Sequence, residues 1–275
     1  MAESVGPGIL EHLLSREREM VRLLRRLAEA ESPSLDPQTQ AGPQAILRLE
    51  LERLGFVVRL IPGVESGGQL LAIPHARPKR SSIQLMVGHC DTVWEVGTLG
   101  VMPIIEKEGC LYGPGTYDMK GGLVNIVFAL RVLQSMNLRP AVVPIVLVNS
   151  DEEIGSSDSM RHIKRLAKVS ERVFVLEPAL GPAGKLKTAR KGNGFFEIRV
   201  LGRAAHAGLE PERGASAILE LSMVIQRLFA LNDAERGVTV NVGTIDGGLR
   251  TNIVAPESRA TVDVRVLTIE DARRV

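Results

Sequence analysis

Apolar residues recur along this chain in two different rhythms, and the change of rhythm divides it. Between Ile9 and Glu29, Leu13, Met20, Leu24 and Leu27 fall at helical spacing, which predicts an amphipathic helix that SPSLDP then breaks. Gln44–Leu54 predicts a second helix, closed by Gly55. Phe56–Ile61 and Gln69–Ile73 predict strands joined through PGVESGG. Three apolar runs, Ser82–Val87, Ala141–Val148 and Arg172–Leu176, have the pattern of buried strands, although Pro144 interrupts the second. Helices are predicted over Gly121–Met136 and Ser159–Lys168. Buried strands alternating with helices imply an α/β fold with a mostly parallel sheet covered on both faces.

Near Lys185 the rhythm changes. Gly194–Leu201, Val238–Ile245 and Glu257–Val266 alternate apolar with polar residues, around a helix over Ala215–Leu231. Strand, helix, strand, strand is a small antiparallel α+β unit. The expected domains are therefore 1–186 and 187–275. A last helix starts with Thr268 as N-cap and Asp271 as a capping-box stand-in. Val275 falls inside that helix, and a helix of about two turns is marginal alone, so the ending reads as a truncation.

Composition sharpens this picture in a few places. Aromatic residues make up only 3% of the chain, so the core must be aliphatic. A net charge of +2 gives no reason to invoke nucleic acid or an anionic membrane as partner. The N-terminus lacks a basic segment followed by an apolar run, and no apolar stretch reaches the ~20 residues of a membrane span. Cys90 and Cys110 lack metal-site spacing and read as free thiols. A cytoplasmic protein is expected.

In a parallel sheet, sites form beyond the carboxyl ends of the strands. SIQLMVGHCDTV puts His89 and Asp91 at the end of one predicted strand. AVVPIVLVNSDEE does the same for Asp151, Glu152 and Glu153, and RVFVLEP for Glu177. YGPGTYDMKGG brings Asp118 in on a Gly-rich loop at a helix start. Taken singly, each has a plain alternative: a strand-end turn for His89 and Asp91, a solvated loop for Glu152 and Glu153, an N-cap for Asp118. Together they converge several carboxylates and one imidazole, whose mutual repulsion divalent cations would relieve. His89 would then bind metal with Asp91 orienting its ring from behind. One acid of the Glu152–Glu153 pair would bind metal and the other act as general base. Asp118 has two oxygens with which to bridge two ions.

GHCDTV, YGPGTYDMKGG, NSDEEIGS, LEP and HAGLEPERGASAI resemble, in order, the signature segments of the zinc exopeptidase and amidohydrolase family of glutamate carboxypeptidase, aminoacylase and succinyl-diaminopimelate desuccinylase. WEVGTLGVMP is most similar to the glutamate carboxypeptidase branch, and the similarity runs from about Leu10 to the end. The resemblance implies a phosphorylase/hydrolase-like zinc-peptidase catalytic domain with an inserted α+β lid that mediates homodimerisation. It implies two zinc ions, with cobalt or manganese as other mixed-ligand occupants. His89 and Glu177 would hold the first, Asp118 would bridge both, Glu153 would bind the second, Glu152 would be the base and Asp91 the residue orienting His89. A cis peptide at Asp118–Met119 is a further family feature. In the lid, His206 matches a histidine that steadies the oxyanion in the partner's active site, and Asn252 and Arg265 match substrate-binding residues; Lys191 has a counterpart of less defined role. The implied reaction cleaves a small peptide or N-acyl amino acid at an amide beside a carboxylate. Family members continue past this point and supply one more histidine to the second zinc. None of His12, His75, His89, His162 and His206 lies beyond the lid. The alternative expectation is thus a catalytically impaired form that acts as a binding or dimerisation module.

Overall fold

A computed structural model describes residues 5–78, 81–181 and 183–275. The chain forms two compact units, Met1–Ala179 and Leu180–Val275.

The first unit opens with helices α1 (Val5–Ser15), α2 (Glu17–Glu29) and α3 (Ala41–Arg53). The single helix expected over Ile9–Glu29 is broken at Arg16, which sits at φ −107°, ψ 9°. The Ser15 hydroxyl bonds back to the His12 carbonyl at 2.7 Å, a local alternative to helical pairing that apolar spacing does not reveal. Strands β1 (Phe56–Ile61), β2 (Gln69–Pro74) and β3 (Ile83–His89) come next. A short hairpin, β4 (Ile105–Lys107) and β5 (Cys110–Tyr112), was not anticipated by the apolar pattern. Then come α4 (Gly121–Ser135), β6 (Val143–Asn149), α5 (Met160–Val169) and β7 (Arg172–Val175).

The main sheet has the order β1-β2-β6-β3-β7. β6, β3 and β7 run parallel, while β1 and β2 pair antiparallel at one edge. Along β3 and β6, side chains alternate between two layers. Met86, Val146 and Val148 pack into a core with Leu27, Leu47, Leu51 and Leu123, from α2, α3 and α4. Leu85, Val87, Ile145 and Leu147 face the other way, onto Ile163 and Leu166 of α5. Pro144 is tolerated because β2 pairs only with Val146–Val148, leaving β6 a single neighbour, β3, at that point. β7 departs from the expected buried strand, with all four residues exposed. Among the described residues it is the sheet's last strand, with β3 as its sole partner. Its composition records the β preference but not the edge position.

In the second unit β8 (Gly192–Leu201), α6 (Ala217–Phe229), β9 (Thr239–Gly247), β10 (Glu257–Val266) and α7 (Ile269–Arg274) form an antiparallel sheet of order β8-β10-β9 with its helices. Val262, Val264 and Val266 alternate inward along β10 and pack with Val238, Val240 and Leu228. Thr268 caps α7 through a hydroxyl that accepts from Asp271 N at 3.0 Å. The same hydroxyl donates to the Asp271 carboxylate, in place of the usual bond to a backbone N–H. Ser216 caps α6 through Leu219 N at 3.2 Å. Replacing Ser216 by Ala should cost about 1 kcal/mol. Denaturant melts of the variant check it, and an unchanged midpoint would show the cap to be idle. No helix among the described residues is long and apolar enough to cross a membrane.

Candidate metal centre

Four segments of the first unit meet at the carboxyl ends of the parallel strands. His89 is the last residue of β3. Ahead of it, Gly88 leaves room for α4: a Cβ there would lie 2.7 Å from Met119 Cε and 2.8 Å from Leu123 Cδ2. Asp118 sits in the turn before α4, reached through Gly115 at φ +68°. The Asp118–Met119 peptide is cis, the feature implied by the family resemblance. Met119 is buried in the core, and its sulfur accepts the His89 N–H at 3.1 Å. Glu152 and Glu153 form a single helical turn between Asp151 and Gly155. Glu177 lies just beyond β7, where the Leu176 N–H still pairs with the Val87 carbonyl at 2.9 Å.

The His89 ring is 1% exposed and lies at the centre. Its Nε2 is 3.2 Å from Asp118 Oδ1, 3.5 Å from Glu177 Oε1 and 4.0 Å from Glu152 Oε2. Nδ1 faces the Asp91 carbonyl at 3.0 Å and the Asp91 carboxylate at 3.4 Å. Two overlapping trios, His89–Glu152–Glu177 and His89–Asp118–Glu153, each present ligand atoms all within 4.8 Å of one another. Donors on one tetrahedral ion with bonds near 2.0–2.2 Å sit roughly 3.3–3.6 Å apart. The Glu177 contact matches that spacing, the Asp118 contact falls about 0.1 Å short of it, and the Glu152 contact exceeds it. The donor set therefore fits a divalent cation.

Electrostatics agree with the fit. Burial pushes the Glu152 and Glu153 carboxyls up, His89 opposes, and neighbouring acids push them up further. Burial also raises Asp118, with Glu177 adding to it against His89. Burial would lower the His89 imidazole, but its bonds to Asp91 and Glu177 outweigh that and raise it to about 11. Acids crowded around one imidazole and raised above their usual range are a site that a cation would satisfy better.

Asp91 is fully buried. Its Oδ2 accepts from Ser34 Oγ at 2.7 Å and from the Glu153 N–H at 3.2 Å, and its Oδ1 accepts from the Glu152 N–H at 3.3 Å. Burial raises its carboxyl, yet the His89 bond and charge, then Ser34 and Glu153, hold it below its usual value. Asp151 turns away to accept the N–H groups of Asp158 and Ser159 at 2.8 and 3.0 Å. Cys90 points into the core, where burial pushes its thiol up to about 12, so it offers no ligand. Ser34 escaped the motif reading, and Met119 entered it only through its peptide bond to Asp118. Both act through contacts distant in sequence, and no local spacing signals either.

In the second unit, the Ala207 N–H donates to the Asn252 carbonyl at 3.0 Å, so His206 and Asn252 lie on adjoining segments. The His206 Nδ1 accepts from the Gly208 N–H at 3.2 Å, which leaves Nε2 as the ring's proton-bearing nitrogen. Asp263 holds the Arg265 Nε at 2.9 Å. Arg265 lies on β10 opposite Thr239 and Asn193, apart from the His206–Asn252 pair. Lys191 precedes β8.

The peptidase dimerisation domain family matches residues 188–275. Carboxypeptidase G2 from Pseudomonas sp. (strain RS-16) is 30% identical over 254 residues, which cover 92% of this chain. The chain spans 61% of that relative's length. Acetylornithine deacetylase from Proteus mirabilis is 29% identical over 91% of this chain and 68% of its own. Among solved structures, the aminopeptidase PepT from Bacillus cereus superposes with a TM-score of 0.76 at 23% identity, over 94% of this chain and 69% of that one. An M20 family metallo-carboxypeptidase from Sulfolobus solfataricus gives 0.70 at 18% identity, over 90% and 71%.

Proposed function

We propose that this chain, which is similar to carboxypeptidase G2 and acetylornithine deacetylase and matches the peptidase dimerisation domain family, is a metal-dependent hydrolase cleaving an amide bond beside a carboxylate, in a small peptide or an N-acyl amino acid. The observation that carries this reading is the buried His89 ring with Asp118, Glu152 and Glu177 around its Nε2. His89, Asp118 and Glu177 would hold one divalent cation, and Asp118 and Glu153 would contribute to a second. When bound, such ions supply Lewis acidity for the carbonyl and acidify a water toward neutral pH. Glu152 takes a proton and returns it to the leaving nitrogen, a role favoured by a carboxyl that burial raises. His206 of the partner subunit donates through Nε2 to the oxyanion, Asn252 contacts the substrate, and Arg265 grips the substrate carboxylate. The peptidase dimerisation domain match supports a homodimer. Zinc is the proposed ion, and the cytoplasm the proposed compartment.

Cations compete with protons for the crowded carboxylates, so affinity should fall as pH falls. Titration of the chelator-treated protein with Zn2+ at several pH values checks this, and a pH-independent affinity would argue against carboxylate ligands. One observation favours a second reading, a binding or dimerisation module without turnover. Both donor trios draw on the same His89 ring. Once one ion takes Nε2, the described residues leave the other only carboxylates. Native mass spectrometry separates the readings: two tightly held ions per chain would reject the silent module.

A further inference from the structure

The segment after α2 does more than reverse the chain. Pro33 bridges to Thr92 in parallel, the Ser34 N–H donates to the Thr92 carbonyl at 3.0 Å, and the Thr92 N–H donates to the Ser32 carbonyl at 2.9 Å. Residues 32–34 thus form a buried strap along residues 90–92, directly after His89. Its two serine hydroxyls differ in what they reach. Ser32 Oγ bonds a backbone carbonyl, that of Cys90, at 2.6 Å. Ser34 Oγ donates to the Asp91 carboxylate at 2.7 Å, with the Thr92 carbonyl farther off at 3.2 Å.

That bond is the shortest the Asp91 carboxylate makes. Its other contacts are the Glu153 N–H at 3.2 Å, the Glu152 N–H at 3.3 Å and the His89 ring at 3.4 Å. The terminal torsion of an aspartate is soft. A rotation there would disturb the imidazole and the Glu152–Glu153 turn together. A short O–H···O bond to a carboxylate is charge-assisted and about twice as strong as a neutral one. We infer that Ser34 is a positioning residue: it locks the Asp91 carboxylate, and through Asp91 it sets both the His89 ring and the turn that carries Glu152 and Glu153. The inference rests on the hydrolase reading, in which those side chains hold cations and move a proton.

Co2+ affinity, measured by competition with a chelator and by the visible spectrum of the bound ion, tests it. Ser34→Ala should weaken Co2+ binding about 10-fold or more, the usual loss when a partner behind a ligand is removed, and should alter the spectrum. Ser32→Ala, on the same strap but bonded to backbone, should leave both readouts at wild-type values. In an Asp91→Asn background, Ser34→Ala should have little further effect. Should the alanine variant fail to fold, Ser34→Cys keeps the size with a weaker donor and should fall between wild type and complete loss. Equal weakening in the Ser32 and Ser34 variants would make the strap merely structural and overturn the assignment, as would unchanged affinity in Ser34→Ala. Wild-type protein that binds no Co2+ would overturn the hydrolase reading along with it.

Discussion

Glu152→Gln should lower turnover by about 10²–10⁴-fold while the protein keeps its full complement of cation. That loss corresponds to roughly 3–5 kcal/mol of barrier. Glutamine preserves the shape and the backbone N–H held by Asp91, but it cannot accept a proton. The proposed division of roles draws on distance: Glu152 Oε2 stands 4.0 Å from His89 Nε2, while Asp118 and Glu177 approach to 3.2 and 3.5 Å. Hydrolysis of a set of N-acyl amino acids and C-terminal dipeptides, with metal content measured on the same samples, is the check. Undiminished turnover would remove Glu152 as base. Loss of cation together with turnover would make it a ligand instead, as its place in the His89–Glu152–Glu177 trio allows. Glu153→Gln, by contrast, should lower cation content first.

The largest stability effect should come from Gly122→Ala. A Cβ at Gly122 would lie 1.8 Å from the Leu176 carbonyl oxygen and 2.8 Å from Met119 Cε. The methionine can move, but the carbonyl belongs to the backbone that leads into Glu177. Overpacking against side chains costs about 1–3 kcal/mol. A clash with fixed backbone should reach at least the upper end of that range, about 3 kcal/mol. For a domain of this size that is a fall in Tm of about 6–12 °C. Relieving the clash means parting α4 from the end of β7, so Glu177 should be drawn away from Asp118 and cation affinity should drop as well. Gly100→Ala is the control, because a Cβ there meets nothing within 4 Å. Equal melting temperatures for the two variants would show that α4 and β7 have room to spare.

The candidate site was legible as a set of residue types rather than as an arrangement. His89, Glu152, Glu153 and Glu177 stand out because each comes at the end of an apolar run, and buried parallel strands bring their carboxyl ends to one edge of the sheet. Asp151 ends the same run as Glu152, yet it binds the Asp158 and Ser159 N–H groups within its own loop. Strand-end position alone does not separate such a structural acid from one that faces His89. Ser34 illustrates a different limit. It reads as part of a helix-breaking segment, and its function depends on a carboxylate 57 residues away.

The sequence by itself determined most of the strands and helices of both units, the cap at Thr268, and the acidic ends of the parallel strands. These arise from periodicity and from hydrogen bonds spanning about four residues, which a linear reading contains. Only the tertiary structure decided that β7 is an exposed edge and that β1 and β2 pair antiparallel beside β6. It also decided that Asp91 gathers Ser34, His89 and the Glu152 and Glu153 amides around one buried carboxylate. Burial and long-range hydrogen bonding depend on which segments become neighbours, and the order of strands in a sheet is fixed by packing across the whole chain rather than by any window of it.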